Sequence, residues 1–296
     1  MIQTISYPIA DVVPYINWLY FFHAWQLPTG YASLKHLHRC PSCRAHWVTQ
    51  YPEAERDKAR EGIRLYDEAC DMLEALSEKY VTLARLALFN ANSDGDDLVI
   101  YTPEGEVRLP LLRQQHGNPC LCLADFIRPK TMNRKDRLGV FATTIDSAME
   151  TLYADDPYRH MLVQTLCDRL AEATAERLHE EVRKKWWGYA PDEDLTPEDM
   201  FQCRFTGIRP AVGYPSLPDQ SVNFLLDELT DFKAIGIRLT ENGAMLPHGS
   251  VSGLMLAHPK ATYFAVGKIG KDQFQDYVSR RGLDEARMRQ FLRANL

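Results

Sequence analysis

The sequence predicts an α+β fold with a largely antiparallel sheet. Three observations point there. Segments of strand character and of helix character are grouped rather than alternating one for one, which disfavours a doubly wound parallel sheet. A hairpin signature sits mid-chain, where Leu98-Val99-Ile100-Tyr101 and Val107-Arg108-Leu109 flank a turn containing Pro103-Glu104-Gly105. No linker is long enough to separate domains, so residues 1–296 read as one domain.

In chain order, Leu27 to Glu53 is the least regular stretch, rich in His, Cys and Pro. A helix follows, because Ile63, Tyr66, Cys70, Leu73 and Leu76 recur at steps of three and four and share one stripe. After the hairpin, Cys120 to Ile127 and Leu138 to Ile145 are apolar segments of strand length. The strongest helix comes next. Asp155 and Asp156 are placed to cap it, Pro157 suits its first turn, and it runs to about Lys185. Arg183, Lys184 and Lys185 put positive charge at its C-terminal end. Ala190 to Pro218 is dense in Pro and Gly and reads mostly as loop. A helix from about Val222, a strand at Ala234 to Leu239 and a Gly-rich loop at Pro247 to Gly253 follow. The chain closes with a strand at Thr262 to Val266 and a helical segment broken at Gly282.

Composition narrows the function. A net charge of −6 argues against a general affinity for nucleic acid. No apolar run approaches the ~20 residues that span a bilayer. The opening Met1-Ile2-Gln3-Thr4-Ile5-Ser6-Tyr7-Pro8 has neither the basic region nor the apolar core of a secretory signal. Seven cysteines, an odd number, read as reduced thiols, so a cytoplasmic location is expected.

Most catalytic motifs fail on inspection. Neither a Gly-x-Gly-x-x-Gly after a strand nor a P-loop is present. Gly249-Ser250-Val251-Ser252-Gly253 has valine where a nucleophile elbow needs serine. Glu176-x-x-His179, with Glu172 one turn earlier, has no second copy to complete a di-iron site, and reads as a polar helix face. The segment His36 to His46 leaves more open. Cys40 and Cys43, with His38 and His46, have the donor types of a zinc site, but four ligands this close in sequence strain a loop. A redox pair is a further alternative, and a plain loop is the favoured reading.

The informative segment is Gly207-Ile208-Arg209-Pro210-Ala211-Val212-Gly213-Tyr214-Pro215-Ser216-Leu217-Pro218-Asp219. Its Arg-Pro-Ala-x-Gly-Tyr-Pro-x-x-Pro core resembles the signature of the reactivation domain of cobalamin-dependent methionine synthase. The same register continues in Leu239-Thr240-Glu241, Gly249 to Gly253, His258-Pro259 and Tyr263-Phe264-Ala265-Val266. Earlier it covers Ile9-Ala10-Asp11, Pro14-Tyr15-Ile16, Arg113-Gln114-Gln115, Leu123-Ala124-Asp125-Phe126 and Trp187-Gly188-Tyr189-Ala190-Pro191. The resemblance spans nearly the whole chain, with a stretch near 30–53 that looks like an insertion.

The resemblance implies a C-shaped domain that binds S-adenosylmethionine. It implies contacts from Asn17, Glu172, Arg209, Pro210, Ala211, Gly213, Tyr214, Tyr263 and Phe264. Elementary chemistry agrees: Arg209 offers a carboxylate two parallel hydrogen bonds, and Tyr214, Tyr263 and Phe264 offer flat faces to a purine and a sulfonium. Asn17 stands where the family has an acidic residue, and Gln220 where it often has histidine. The implied activity is reductive methylation of inactive cob(II)alamin. Cobalamin is carried by corrinoid-bearing methionine synthase modules, and a flavodoxin-like or other flavoprotein donates the electron. No Asp-x-His-x-x-Gly corrinoid motif is found, so the chain is expected to be the reactivation domain alone, acting in trans on a separate polypeptide. Two alternatives stay open: a non-catalytic S-adenosylmethionine sensor or scaffold, and a reactivator of another corrinoid methyltransferase.

Overall fold

The computed structural model describes residues 2–296. Its elements are the strand β1 (Ile2–Pro8), helices α1 (Ile9–Val12), α2 (Trp18–Ala24), α3 (Pro41–Thr49) and α4 (Arg56–Ser77), and strands β2 (Val81–Asp94), β3 (Asp97–Thr102), β4 (Gly105–Pro110) and β5 (Asp136–Ile145). Helices α5 (Pro157–Glu181), α6 (Pro197–Phe201) and α7 (Val222–Thr230) follow. The strands β6 (Arg238–Leu239), β7 (Met245–Leu246) and β8 (Ser250–Met255) and the helices α8 (Lys271–Arg281) and α9 (Glu285–Phe291) complete the chain.

The sheet is antiparallel throughout, in the order β4-β3-β2-β5-β8. β2 is its spine. Along one side it pairs with β5 over residues 82–91; along the other it pairs first with β1 over 81–87 and then with β3 over 90–94. Every residue from Leu138 to Ile145 in β5 is buried, because both sheet faces are covered. On one face Phe141 and Ile145 join residues of α2, α4 and α5; on the other Leu138, Val140 and Ala142 join residues of α7 and Leu254 and Leu256. Helices α8 and α9 close a smaller apolar cluster around Phe274, Tyr277 and Met288.

The hairpin, the Leu138–Ile145 strand, the Ile63–Leu76 stripe and the break at Gly282 lie where the sequence placed them. Asp156 caps α5, its side chain accepting from Arg159 N–H, and Pro157 is the first helical residue. The helix gives way after Glu181 to a π-type turn over Val182–Trp186.

Other expectations are corrected. Cys120 to Ile127 is not a strand: Cys122 N–H donates to Asp125 Oδ2, 2.8 Å away, and this bond starts a 3-10 turn at Leu123–Phe126. Ala234 to Leu239 is not one strand: Ala234 and Ile235 end a 3-10 turn over Phe232–Ile235, Gly236 follows at φ 81°, and only Arg238–Leu239 is extended and paired. Pro247 to Gly253 is not a loop throughout, since Ser250 onward is β8, laid against β5. Thr262 to Val266 has no strand partner. Strands β1 and β2 carried no clear alternation in the sequence. Leu27 to Glu53 is ordered helically: Cys40 caps α3 by accepting from Cys43 N–H, Pro41 occupies the first helical position, and Tyr31, Leu34, Trp47 and Val48 are buried in the main core. Among the described residues no helix is long and apolar enough to cross a membrane.

Candidate functional site

The segment around Arg209 adds itself to the edge of β8. Ile208 N–H donates to Leu256 O at 2.9 Å and Leu256 N–H returns to Ile208 O at 3.0 Å; Leu254 N–H donates to Pro210 O at 3.0 Å and Val212 N–H to Ser252 O at 2.9 Å. Pro210, which has no N–H, therefore contributes only its carbonyl. This approach needs glycine at 253, where a Cβ would overlap the Pro210 carbonyl oxygen and lie 2.8 Å from Ala211 Cα. At Gly213, with φ 85°, the chain turns, and Gly213 N–H donates to Leu217 O at 2.8 Å.

The turn faces α5 across a cleft of about 770 Å³. Glu172 and Glu176, one turn apart, project from α5 into it. Arg209 is 7% exposed and its Nη2 donates to Glu176 Oε1 at 2.7 Å. Arg209 Nε and Glu176 Oε2 are both buried without a protein partner. Burial works against the Arg209 charge, but Glu176, Tyr263 and Glu172 outweigh it, so the guanidinium is held more firmly protonated than usual. Tyr214 donates its hydroxyl to Glu172 Oε1 at 2.6 Å, and burial followed by the Glu172 charge raises its pKa. Tyr263 accepts from Arg209 N–H at 2.9 Å. Burial pushes its hydroxyl up to about 12, against the opposing Arg209 charge. Val266 N–H donates to Pro215 O at 2.9 Å, and Ser216 Oγ both donates to Phe264 O and accepts from Phe264 N–H, so the Tyr263–Val266 segment is tied to the turn.

Of the residues expected from sequence, Asn17, Glu172, Arg209, Pro210, Ala211, Tyr214, Tyr263 and Phe264 line this one cleft. Gly213 does not line it and instead shapes the turn. Asn17 caps α2, its Oδ1 accepting from Leu19 N–H at 3.2 Å. Gln220 lies behind the turn, donating to Gly243 O at 3.1 Å. Arg209 is not the free fork that the sequence suggested, since one arm is engaged by Glu176. Sequence reasoning missed Glu176, Tyr15, Tyr20, Met200 and Phe201, which also line the cleft. Glu176 had a signal, four residues from Glu172 on the same helical face. His179 points elsewhere, packed edge-on against Phe205 within hydrogen-bond reach of Tyr189 Oη, so Glu176 and His179 are not a metal pair. His38, Cys40 and Cys43 meet at a separate place, and His46 is not part of that group.

A family model described as "Vitamin B12 dependent methionine synthase, activation domain" matches residues 8–282. The chain belongs to that family. Among solved structures, a crystal structure of the MetH reactivation domain bound to AdoHcy is 35% identical, with a TM-score of 0.86 over 100% of this chain and 90% of that one. The activation-domain fold of a B12-dependent methionine synthase thus underlies the sheet and the cleft described above.

Proposed function

We propose that the chain binds S-adenosylmethionine in this cleft and supports reductive methylation of cob(II)alamin on a corrinoid-bearing methionine synthase module. The observation that carries the reading is the Arg209–Glu176 pair, which sets a guanidinium and a carboxylate side by side, each with a polar atom left over. An α-amino acid carries a carboxylate and an ammonium on one carbon, so the pair matches it in sign at both positions. The volume suits a ligand of nucleoside size, within the ~300–1,000 Å³ of small-molecule sites. Tyr15, Tyr20, Tyr214 and Tyr263 supply faces for a purine and a sulfonium. AdoHcy in the similar crystal structure is the demethylated counterpart of the proposed ligand and supports the same assignment.

When bound, S-adenosylmethionine supplies an electrophilic methyl group; a flavodoxin-like or other flavoprotein is the proposed source of the electron that prepares the cobalt. The work left to this chain is positional. Arg209 and Glu176 fix the amino-acid end, Glu172 holds Tyr214 at the mouth, and Phe264 and Ala265 wall the far side against water. No lining residue is asked to move a proton.

Isothermal titration tests the reading. Wild type should bind S-adenosylmethionine and S-adenosylhomocysteine, and Arg209→Ala should weaken both by about 10- to 150-fold, the worth of one hydrogen bond to a charged group. Absence of binding to wild type, or an unchanged affinity in the variant, overturns it. A second reading, binding without methyl transfer, is favoured by Asn17, which caps α2 where the family has an acidic residue. Formation of methylcobalamin on a reduced corrinoid module would separate the two.

A further inference from the structure

The segment preceding α3 carries a cluster that the cleft does not use. We propose that His38, Cys40 and Cys43 form a zinc site with three protein ligands and one position open to solvent. A ring nitrogen of His38 and the Sγ atoms of Cys40 and Cys43 all lie within 4.8 Å of one another. Tetrahedral zinc, with Zn–S about 2.3 Å, needs its sulfurs about 3.8 Å apart, so side-chain rotation alone closes the difference. Among the described residues no other group of three His, Cys, Asp or Glu side chains converges in this way.

The backbone holds the arrangement in place. Cys43 N–H donates to Cys40 Sγ at 3.4 Å, and Cys40 N–H donates to His38 Nδ1 at 3.2 Å. The turn is anchored on both sides, by Tyr31 and Leu34 before it and by Trp47 and Val48 after it, all buried in the main core. Nearby cations do not oppose a metal, because Arg39 is paired with Asp71 at 3.3 Å and Arg44 with Asp67 at 2.5 Å. Two thiolates and an imidazole are a soft donor set that suits zinc, not magnesium or calcium. Two thiolates also balance the charge of the ion. His38 is exposed and both cysteines are partly so, which leaves an entry path and room for a fourth ligand.

The site would staple a segment that reaches the cleft. Lys35 pairs with Glu198 of α6 at 2.5 Å and lies 5.3 Å from the centre of the Phe201 ring, and Met200 and Phe201 line the cleft.

The test uses the full chain, reduced and stripped with a chelator, then titrated with zinc against a chromophoric competitor. One equivalent should bind, and cobalt(II) in its place should show thiolate-to-metal charge transfer. The double variant Cys40→Ser/Cys43→Ser should lose that equivalent while keeping its circular dichroism. His38→Ala should bind at least about tenfold more weakly, since even outer-shell partners of a metal are worth about 10- to 100-fold. Three results overturn the proposal: no zinc uptake by reduced wild type, uptake that survives in the double serine variant, or a Cys40–Cys43 disulfide that forms in excess zinc, as a redox pair would.

Discussion

Arg209 and Glu176 illustrate how a buried ion pair constrains two properties at once. Removing Arg209 leaves the Glu176 carboxylate, only one-fifth exposed, without its counter-charge. Breaking a buried pair costs about 3–5 kcal/mol, and the partial exposure of Glu176 puts Arg209→Ala near the lower figure. Chemical denaturation should register that loss beside the affinity loss, whereas Arg209→Lys should recover most of the stability and little of the affinity. Gly253 gives a purely steric prediction. In Gly253→Ala the new Cβ meets backbone at Pro210 and Ala211, which cannot rotate away, so overpacking should cost about 3 kcal/mol. In a chain of this size the melting temperature should fall by about 6 °C. A drop within 1–2 °C, roughly the effect of less than one kcal/mol, would show that the Arg209 segment is not pressed against β8. The cluster Arg209, Tyr214, Tyr263 was legible through the family resemblance carried by 207–219 and 263–266; the Pro-Gly spacing alone would read as a surface loop. Glu176 was legible only in part: its spacing from Glu172 put it on the same helical face, but a carboxylate there looks the same from sequence whether it faces water or a buried guanidinium.

At the scale of elements, α5 supplies two carboxylates to the cleft, Glu172 and Glu176, and also buried groups that bear on stability. His179 on this helix is fully buried, and its pKa lies well below the usual 6.5 through burial first and the Arg183 and Arg209 charges second. The unfolded chain therefore binds a proton that the folded chain refuses. Stability is intact above pH 6.5 and is lost as the pH falls below it, at up to about 1.4 kcal/mol per pH unit. His179→Gln, which keeps a partner for Tyr189 and does not titrate, should flatten that acid limb in denaturant titrations between pH 6.5 and 5. An equally steep limb in the variant would reassign it to other groups. Arg183, also fully buried, donates to both oxygens of Glu193. Helix α5 itself was readable from its cap, its proline and its length. Its neighbours were harder: α3 was hidden because Cys40 is an unusual cap. β8 was hidden because Gly249 just before it and Gly253 within it, both there for close approach, also read as loop. Thr262 to Val266 has strand composition, yet the backbone hydrogen bonds of Phe264 and Val266 go to the Pro215–Ser216 turn and not to a strand.

At the scale of the whole molecule, the cleft is built by segments far apart in the chain, from Tyr15 to Ala265, so a ligand bound there would be coupled to the fold. Ligand at about 100 times its dissociation constant stabilises the native state by about 2.7 kcal/mol, which in a chain this long raises the melting temperature by about 5 °C. Thermal shift with S-adenosylhomocysteine checks this, and a flat response at millimolar ligand would count against the cleft as its site. The antiparallel α+β class followed from the grouping of elements, but the strand order did not, because the two strands flanking α4 lacked readable alternation. That order has a practical corollary. Residues 2–8 cover the outer edge of β2 along 81–87, and among the described residues no other strand pairs there. A recombinant form trimmed to begin at Ile9 would bare a row of amide and carbonyl groups on a central strand, inviting a second molecule to bind there. Such a trimmed form should elute as a dimer or larger species in gel filtration, and any tag or fusion joined at that end is best kept clear of the first strand.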